Sequence, residues 1–200
     1  SMGERQLVEI TRELSTGGKV IILDEPTSSL TFKEIDSESD TVAEIFLKWG
    51  VKKGDRISFF MPNGWEYFVA FYAAMKVGAI VSPMNPTYRE REVKHQVNDA
   101  ESKILFIQSH LFPVVEGILQ ELPTLERIVV TRGSDQGRGK VFSFAELLRK
   151  SSGSPSFTPA SINPREDLAA LPYSSGTAGL NKGVMITHFN LVCNTLQSMH

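Results

Sequence analysis

Apolar and polar positions alternate along the chain in short blocks of two kinds. Val20-Ile21-Ile22-Leu23 is a β-branched run that ends at Asp24-Glu25-Pro26, the pattern of a strand followed by a turn. Thr31 precedes Glu34 by three residues, the spacing of a capping box, and Ile35, Val42, Ile45, Phe46 and Trp49 then recur at helical spacing up to Gly50. From there strands and helices are expected in turn. Strands are expected at Ile57–Met61, Ala79–Val81, Ile104–Ile107 and Arg127–Val130. Helices are expected at Trp65–Val77, closed by Gly78, and at Glu90–Asn98, Phe112–Leu122 and Phe144–Lys150. Repeated strand–helix alternation predicts an α/β fold with a mostly parallel sheet and helices on both faces.

The rhythm changes after residue 150. Residues 151–164 are rich in Ser and Pro and read as a linker or surface loop, as does the polar stretch 133–140. Beyond it come a strand-like run from Leu168 to Tyr173, a loop of small residues, and a second strand-like run from Gly183 to Thr187. Thr187 can cap a helix starting near His188 or Phe189. The expected organisation is therefore an α/β subdomain over residues 4–150, a linker over 151–164, and a hairpin with the start of a helix over 165–200. Ser1-Met2-Gly3 reads as a cloning remnant, and a helix still running at His200 reads as a truncated one.

Composition narrows the field only modestly. A 200-residue chain with 41% hydrophobic and 22% charged residues is long enough to bury a core. A net charge of -2 gives no bulk field toward nucleic acid or an anionic membrane. The most apolar stretch, Trp65–Met84, is interrupted by Glu66 and Lys76, so no membrane-spanning segment is expected. Cys193 is the single cysteine, which excludes an intrachain disulfide or a cysteine-based zinc site and fits a reducing, intracellular setting.

The chemistry is concentrated in Ser174-Ser175-Gly176-Thr177-Ala178-Gly179-Leu180-Asn181-Lys182-Gly183. Three glycines, three hydroxyls and one lysine share ten positions. Glycines let the backbone approach an anion, successive N–H groups can converge on phosphate oxygens, and a lysine adds a mobile charge. An ordinary glycine-rich turn that binds nothing remains an alternative. A Walker A loop does not fit, because Asn181 stands where the second glycine is needed and Gly183 where the hydroxyl is needed. The loop also leads into Val184-Met185-Ile186-Thr187, a strand pattern and not a helix.

The segment Tyr173–Leu191, YSSGTAGLNKGVMITHFNL, resembles the signature of the adenylate-forming superfamily of acyl-CoA synthetases, firefly luciferase and nonribosomal-peptide adenylation domains. LTFKEID (30–36), GVKKGDRISFFMPN (50–63) and KVGAIVSPMNPTY (76–88) resemble it too, in the same order. The nearest branch is that of 4-coumarate–CoA ligases and fatty acyl-CoA synthetases. The resemblance implies ATP-dependent formation of an acyl-adenylate from a fatty or aromatic carboxylic acid, then transfer to coenzyme A, with Mg2+ accompanying the ATP. It assigns Ser174, Ser175, Gly176, Thr177, Ala178, Gly179 and Lys182 to the polyphosphate. Ala178 stands where the family usually has threonine, losing a hydroxyl. Asn181 stands where it usually has proline, which is expected to leave the loop less rigid. The family's magnesium-binding acid and catalytic lysine lie further along its chains, so no catalytic or metal-binding residue is expected before His200, and the chain by itself is not expected to be active. A short nucleotide- or partner-binding protein and an adenylation domain that loads a carrier protein are the competing readings. The branch admits a cytoplasmic or peroxisomal location.

His95 and His110 fall in separate contexts without metal spacing, His188 reads as a helix-start residue, and Trp65, Phe68 and Phe71 read as core. Asp55 and Arg56 read as turn and strand-start residues, and Glu90-Arg91-Glu92 as a solvated helix start.

Overall fold

The structure is a computed structural model that describes residues 31–133, 139–150, 156–174 and 181–198. The expected strand at Val20–Leu23 lies outside the described residues, as do the loop positions from Ser175 to Leu180.

Helix α1 (Phe32–Lys48) starts from the anticipated capping box: the Glu34 amide donates to Thr31 Oγ1 (3.3 Å) and the Thr31 amide to Glu34 Oε2 (2.9 Å). The chain then forms β1 (Arg56–Phe60), α2 (Trp65–Val77), β2 (Ile80–Pro83), α3 (Glu90–Asp99) and β3 (Ile104–Gln108). It continues through α4 (Phe112–Glu116), β4 (Arg127–Thr131), β5 (Val141–Ser143) and α5 (Phe144–Lys150). Beyond residue 156 lie β6 (Leu168–Ala170), β7 (Tyr173–Ser174), β8 (Lys182–Gly183), β9 (Ile186–Thr187) and α6 (His188–Ser198).

Seven strands form one sheet in the order β5-β4-β3-β1-β2-β6-β9, and β7 pairs with β8 in a separate two-stranded ribbon. All pairs in the large sheet are parallel except β6 with β9. The mostly parallel α/β expectation therefore holds. Residues alternate between the two faces, as a strand requires. Ile57, Phe59, Ile104, Phe106 and Val129 pack under α1, α2 and α5. Phe60, Leu105, Ile107, Ile128 and Val130 pack on the other face with Val93 and Val97 of α3 and Val115 of α4.

Several elements depart from their sequence patterns. The helix expected over Phe112–Leu122 stops at Glu116, and a 3-10 turn follows at Leu119–Glu121. Gly117 carries no side chain to hold the helix, and Pro123 favours extended backbone at the residue before it. The run Leu168–Tyr173 is two strands, not one, because Pro172 separates a piece that pairs with β2 from a piece that pairs with β8. The run Gly183–Thr187 splits likewise, with Val184 and Met185 exposed between β8 and β9. Strand β5 is too short to show a period. Phe68, expected in the core, is 47% exposed, since α2 turns its small residues Ala70, Ala73 and Ala74 inward.

The two charges that interrupt the apolar stretch of α2 are both paired. Glu66, buried, accepts from Arg132 Nε at 2.8 Å, and Lys76 donates to Asp36 and Asp40 of α1 at 2.6 Å each. Gly78 ends α2 at φ +73°, where a Cβ would meet Ala160 Cβ at 3.1 Å. The segment from residue 156 runs against this point: the Ala160 amide donates to Lys76 O, Lys53 Nζ donates to Ser161 O, and Phe157 packs on the α2 side of the core. Among the described residues no helix is long and apolar enough to cross a membrane.

Candidate functional site

Strand β6 runs parallel to β2, with Val81 opposite Ala170, and the Leu171 amide donates to Val81 O. The chain therefore leaves β6 at the carboxyl edge of the parallel strands, where open α/β sheets bind ligands. The β7–β8 ribbon rises from that edge. Tyr173 is opposite Gly183 and Ser174 is opposite Lys182. Opposite residues in an antiparallel pair point to one face with Cβ atoms about 5 Å apart. A hydroxyl and an ammonium thus stand side by side at the mouth of the loop. Both are exposed, and neither side chain has a hydrogen-bond or ion-pair partner among the described residues. Gly183 is needed for close approach, because a Cβ there would lie 3.0 Å from Leu171 Cδ1 and 3.3 Å from Tyr173 Cε2. Of the residues that the sequence assigns to polyphosphate, the structure brings Ser174 and Lys182 together. Ser175, Gly176, Thr177, Ala178 and Gly179 lie outside the described residues.

The ribbon's outer contacts involve residues to which the sequence assigned no functional part. His95 Nε2 donates to Asn181 O at 2.8 Å, and Asn181 Nδ2 donates to Tyr88 Oη at 2.9 Å. Tyr173 Oη donates to Asp99 Oδ2 at 2.5 Å, and the His95 ring meets the Tyr173 ring edge-on at 6.1 Å between centroids. Burial of the Tyr173 phenol and its bond to the Asp99 carboxylate together push its pKa well above the usual tyrosine range. His95 and Asp99 are four apart on α3 and so share one helical face, the only sequence signal that pairs them. The sequence predicts that Asn181 loosens the loop relative to proline. The loop itself lies outside the described residues, and Asn181 at its end is held through both its backbone carbonyl and its side-chain amide.

His188 opens α6, with the Asn190 amide donating to Thr187 Oγ1 at 3.2 Å just before it, so Thr187 caps the helix as expected. Burial lowers the His188 pKa, against the opposing influence of Asp167. Its Nε2 is buried and has no partner among the described residues. Asp167 is held low by Lys53, 2.6 Å away, and then by the Asn163 amide. Asp55 accepts from the Lys52 amide and pairs with Lys103, and Arg56 donates to Ala100 O, as turn and strand-start residues should. Among the described residues, no group of three His, Cys, Asp or Glu side chains could hold a metal ion.

A mostly parallel sheet of this order, with an exposed hydroxyl and lysine paired at its carboxyl edge, defines an α/β domain. The chain belongs to the AMP-binding enzyme family, which matches residues 12–200. It is 31% identical to the long-chain-fatty-acid–CoA ligase of Salmonella typhimurium, across 84% of this chain and 34% of that protein. Its fold matches the long-chain-fatty-acid-CoA ligase FadD1 from Archaeoglobus fulgidus with a TM-score of 0.75 and 34% identity, covering 90% of this chain and 34% of that one. It also matches the anthranilate CoA ligase AuaEII in complex with anthranoyl-AMP, with a TM-score of 0.76 and 26% identity, covering 92% and 34%. The chain thus spans about a third of the length of these relatives.

Proposed function

We propose that this chain is the phosphate-gripping N-terminal part of an ATP-dependent carboxylate–CoA ligase. The observation that carries the reading is the pairing of Ser174 with Lys182 at the carboxyl edge of the sheet, in a chain that belongs to the AMP-binding enzyme family. An exposed ammonium beside an exposed hydroxyl fits a polyphosphate, and glycines between them would let backbone amides join. In the proposed reaction a carboxylate attacks the α-phosphate of ATP, forming an acyl–phosphate bond as the bond to pyrophosphate breaks. The thiol of coenzyme A then attacks the acyl carbon, loses its proton, and releases AMP. In the first step Lys182, Ser174, Ser175, Thr177 and the amides of Gly176, Ala178 and Gly179 hold the β- and γ-phosphates as charge builds on them. Mg2+ would come with the nucleotide, its protein ligands lying outside the described residues. The acid is of the fatty or aromatic kind, as the names of the related ligases suggest. The protein would work where ATP and coenzyme A are found, in the cytoplasm or a peroxisome.

The test is ATP–pyrophosphate exchange by the full-length protein across fatty and aromatic acids, with coenzyme A omitted. Exchange that depends on one class of acid is expected, whereas exchange with no acid present, or none with any acid, would refute the assignment. A second outcome concerns Ala178. Restoring a hydroxyl by Ala178→Thr should add one donor to the phosphates and tighten ATP about two- to tenfold, the worth of one net hydrogen bond. Equilibrium titration with ATP measures this, and an unchanged affinity would count against the loop's contact with phosphate at that position.

A further inference from the structure

We infer that Asn181, His95 and Tyr88, with Asp99 and Tyr173, form a brace that positions Ser174 and Lys182 at the two ends of the loop. The inference rests on the reading of that loop as the polyphosphate grip. A ribbon whose strands have two residues each is too short to hold its own shape in water. Its stability must come from contacts outside itself, and α3 with its leading turn supplies them. On one strand, Tyr173 is tied to α3 by its hydroxyl on Asp99 and by its ring against His95. Just before the other strand, Asn181 is tied to α3 by its carbonyl on His95 and to the turn before α3 by its amide on Tyr88. Helix α3 is itself fixed to the sheet, with Val93 and Val97 fully buried and Gln96 donating to Ser82 and Pro83 at the end of β2. Both sides of the loop are therefore referenced to the carboxyl edge of the same parallel strands.

The sequence position that matters most is Asn181. Proline would restrict the backbone there through its ring. Asparagine leaves the backbone free, and here two hydrogen bonds restrict it instead, one from each end of the residue. The stiffness depends on His95 and Tyr88, residues 86 and 93 positions away along the chain. A brace of this kind acts by lowering the conformational cost of ordering the loop around its ligand. It touches no reacting atom, so these are positioning residues. Their loss should appear in ATP capture, and should leave the chemical step of the bound complex nearly intact.

The experiment uses the full-length protein and two readouts. In steady-state pyrophosphate exchange, Asn181→Ala, Tyr88→Phe and His95→Ala should each raise KM for ATP about three- to tenfold, the worth of one hydrogen bond. The turnover number should change less than about twofold and KM for the acid should not move. His95→Gln, which keeps an N–H able to reach the carbonyl, should recover most of the loss. Tyr88→Phe combined with Asn181→Ala should be no worse than Asn181→Ala alone, since both remove the same bond. In limited trypsin digestion without ligand, cleavage after Lys182 should speed up in the three single variants and return toward the parent rate in His95→Gln.

Unchanged KM for ATP together with unchanged cleavage would overturn the brace. Faster cleavage without any change in KM would overturn its positioning role. A parallel fall in turnover number with all KM values constant would mark lost folded enzyme and overturn it as well. Lys182→Ala separates this from the underlying reading. If that variant exchanges pyrophosphate normally, the phosphate assignment fails whatever the brace does. If Lys182→Ala is impaired while the brace variants behave as the parent, the brace alone fails.

Discussion

Replacing Lys182 by alanine is expected to lower the turnover number of ATP–pyrophosphate exchange in the full-length protein by about 10²–10³-fold, the usual cost of removing one preorganised group that faces developing charge. As the bond to the α-phosphate breaks, negative charge accumulates on the departing pyrophosphate. An ammonium held beside it stabilises that state more than the ground state. Lys182 is suited to this because it is exposed, lies opposite Ser174 and carries no ion pair with any described residue. No carboxylate among the described residues neutralises its charge. Lys182→Arg keeps the charge but spreads it over a planar fork that needs a different approach to oxygen, so it should recover only part of the rate. The signature differs from that of the brace, with turnover falling here and KM for ATP rising there. Single-turnover measurement of acyl-adenylate formation checks it. A Lys182→Ala enzyme that forms adenylate at the parent rate would remove the central residue from the proposal.

Phe106→Ala should destabilise the folded chain by about 3–5 kcal/mol, as large-to-small changes of a buried phenylalanine do. Phe106 sits on β3, near the middle of the seven-stranded sheet, and is 1% exposed. Its ring lies 5.4 to 5.9 Å from the rings of Phe59, Phe46 and Phe144, which come from β1, α1 and α5. Removing it opens a cavity where four elements meet, and the sheet backbone on either side cannot collapse to fill it. The urea midpoint should fall accordingly, with little change in slope. Phe32→Ala is the matched control. Phe32 is 90% exposed, and its loss should stay within about 0.5 kcal/mol. Equal effects of the two substitutions would mean that the helix-covered face of the sheet is not packed as described.

Much of this architecture is legible in the amino-acid order because it is locally encoded. Trp65–Val77 and Phe144–Lys150 have the expected helical bounds, since Gly78 and the apolar spacing act within a turn or two. The capping box at Thr31 and the cap at Thr187 are likewise contacts between near neighbours. The loop from Ser174 to Gly183 is recognisable for the same reason, as a dense local cluster of glycine, hydroxyl and lysine. Two positions, Asn181 and Gly183, and the strand-like run after them distinguish it from a Walker loop.

The features hidden from a local reading are those that depend on partners far along the chain. Val184 and Met185 look like the middle of one strand, yet they separate β8, which pairs with β7, from β9, which pairs with β6. Glu66 and Lys76 look like defects in an apolar helix until Arg132 and Asp36 are seen beside them. His95 carries no signal of its own, because its significance is its distance to Asn181 O, and residues 86 positions apart become neighbours only when α3 docks on the sheet. The amino-acid order alone thus determined the element types, the alternation that makes a parallel sheet, and the chemical inventory of the loop, all of which arise from interactions within a few residues. The tertiary structure alone decided which strands share a sheet, which charges are neutralised, and what ties the β7–β8 ribbon to α3, because these are set by long-range packing that no local pattern encodes.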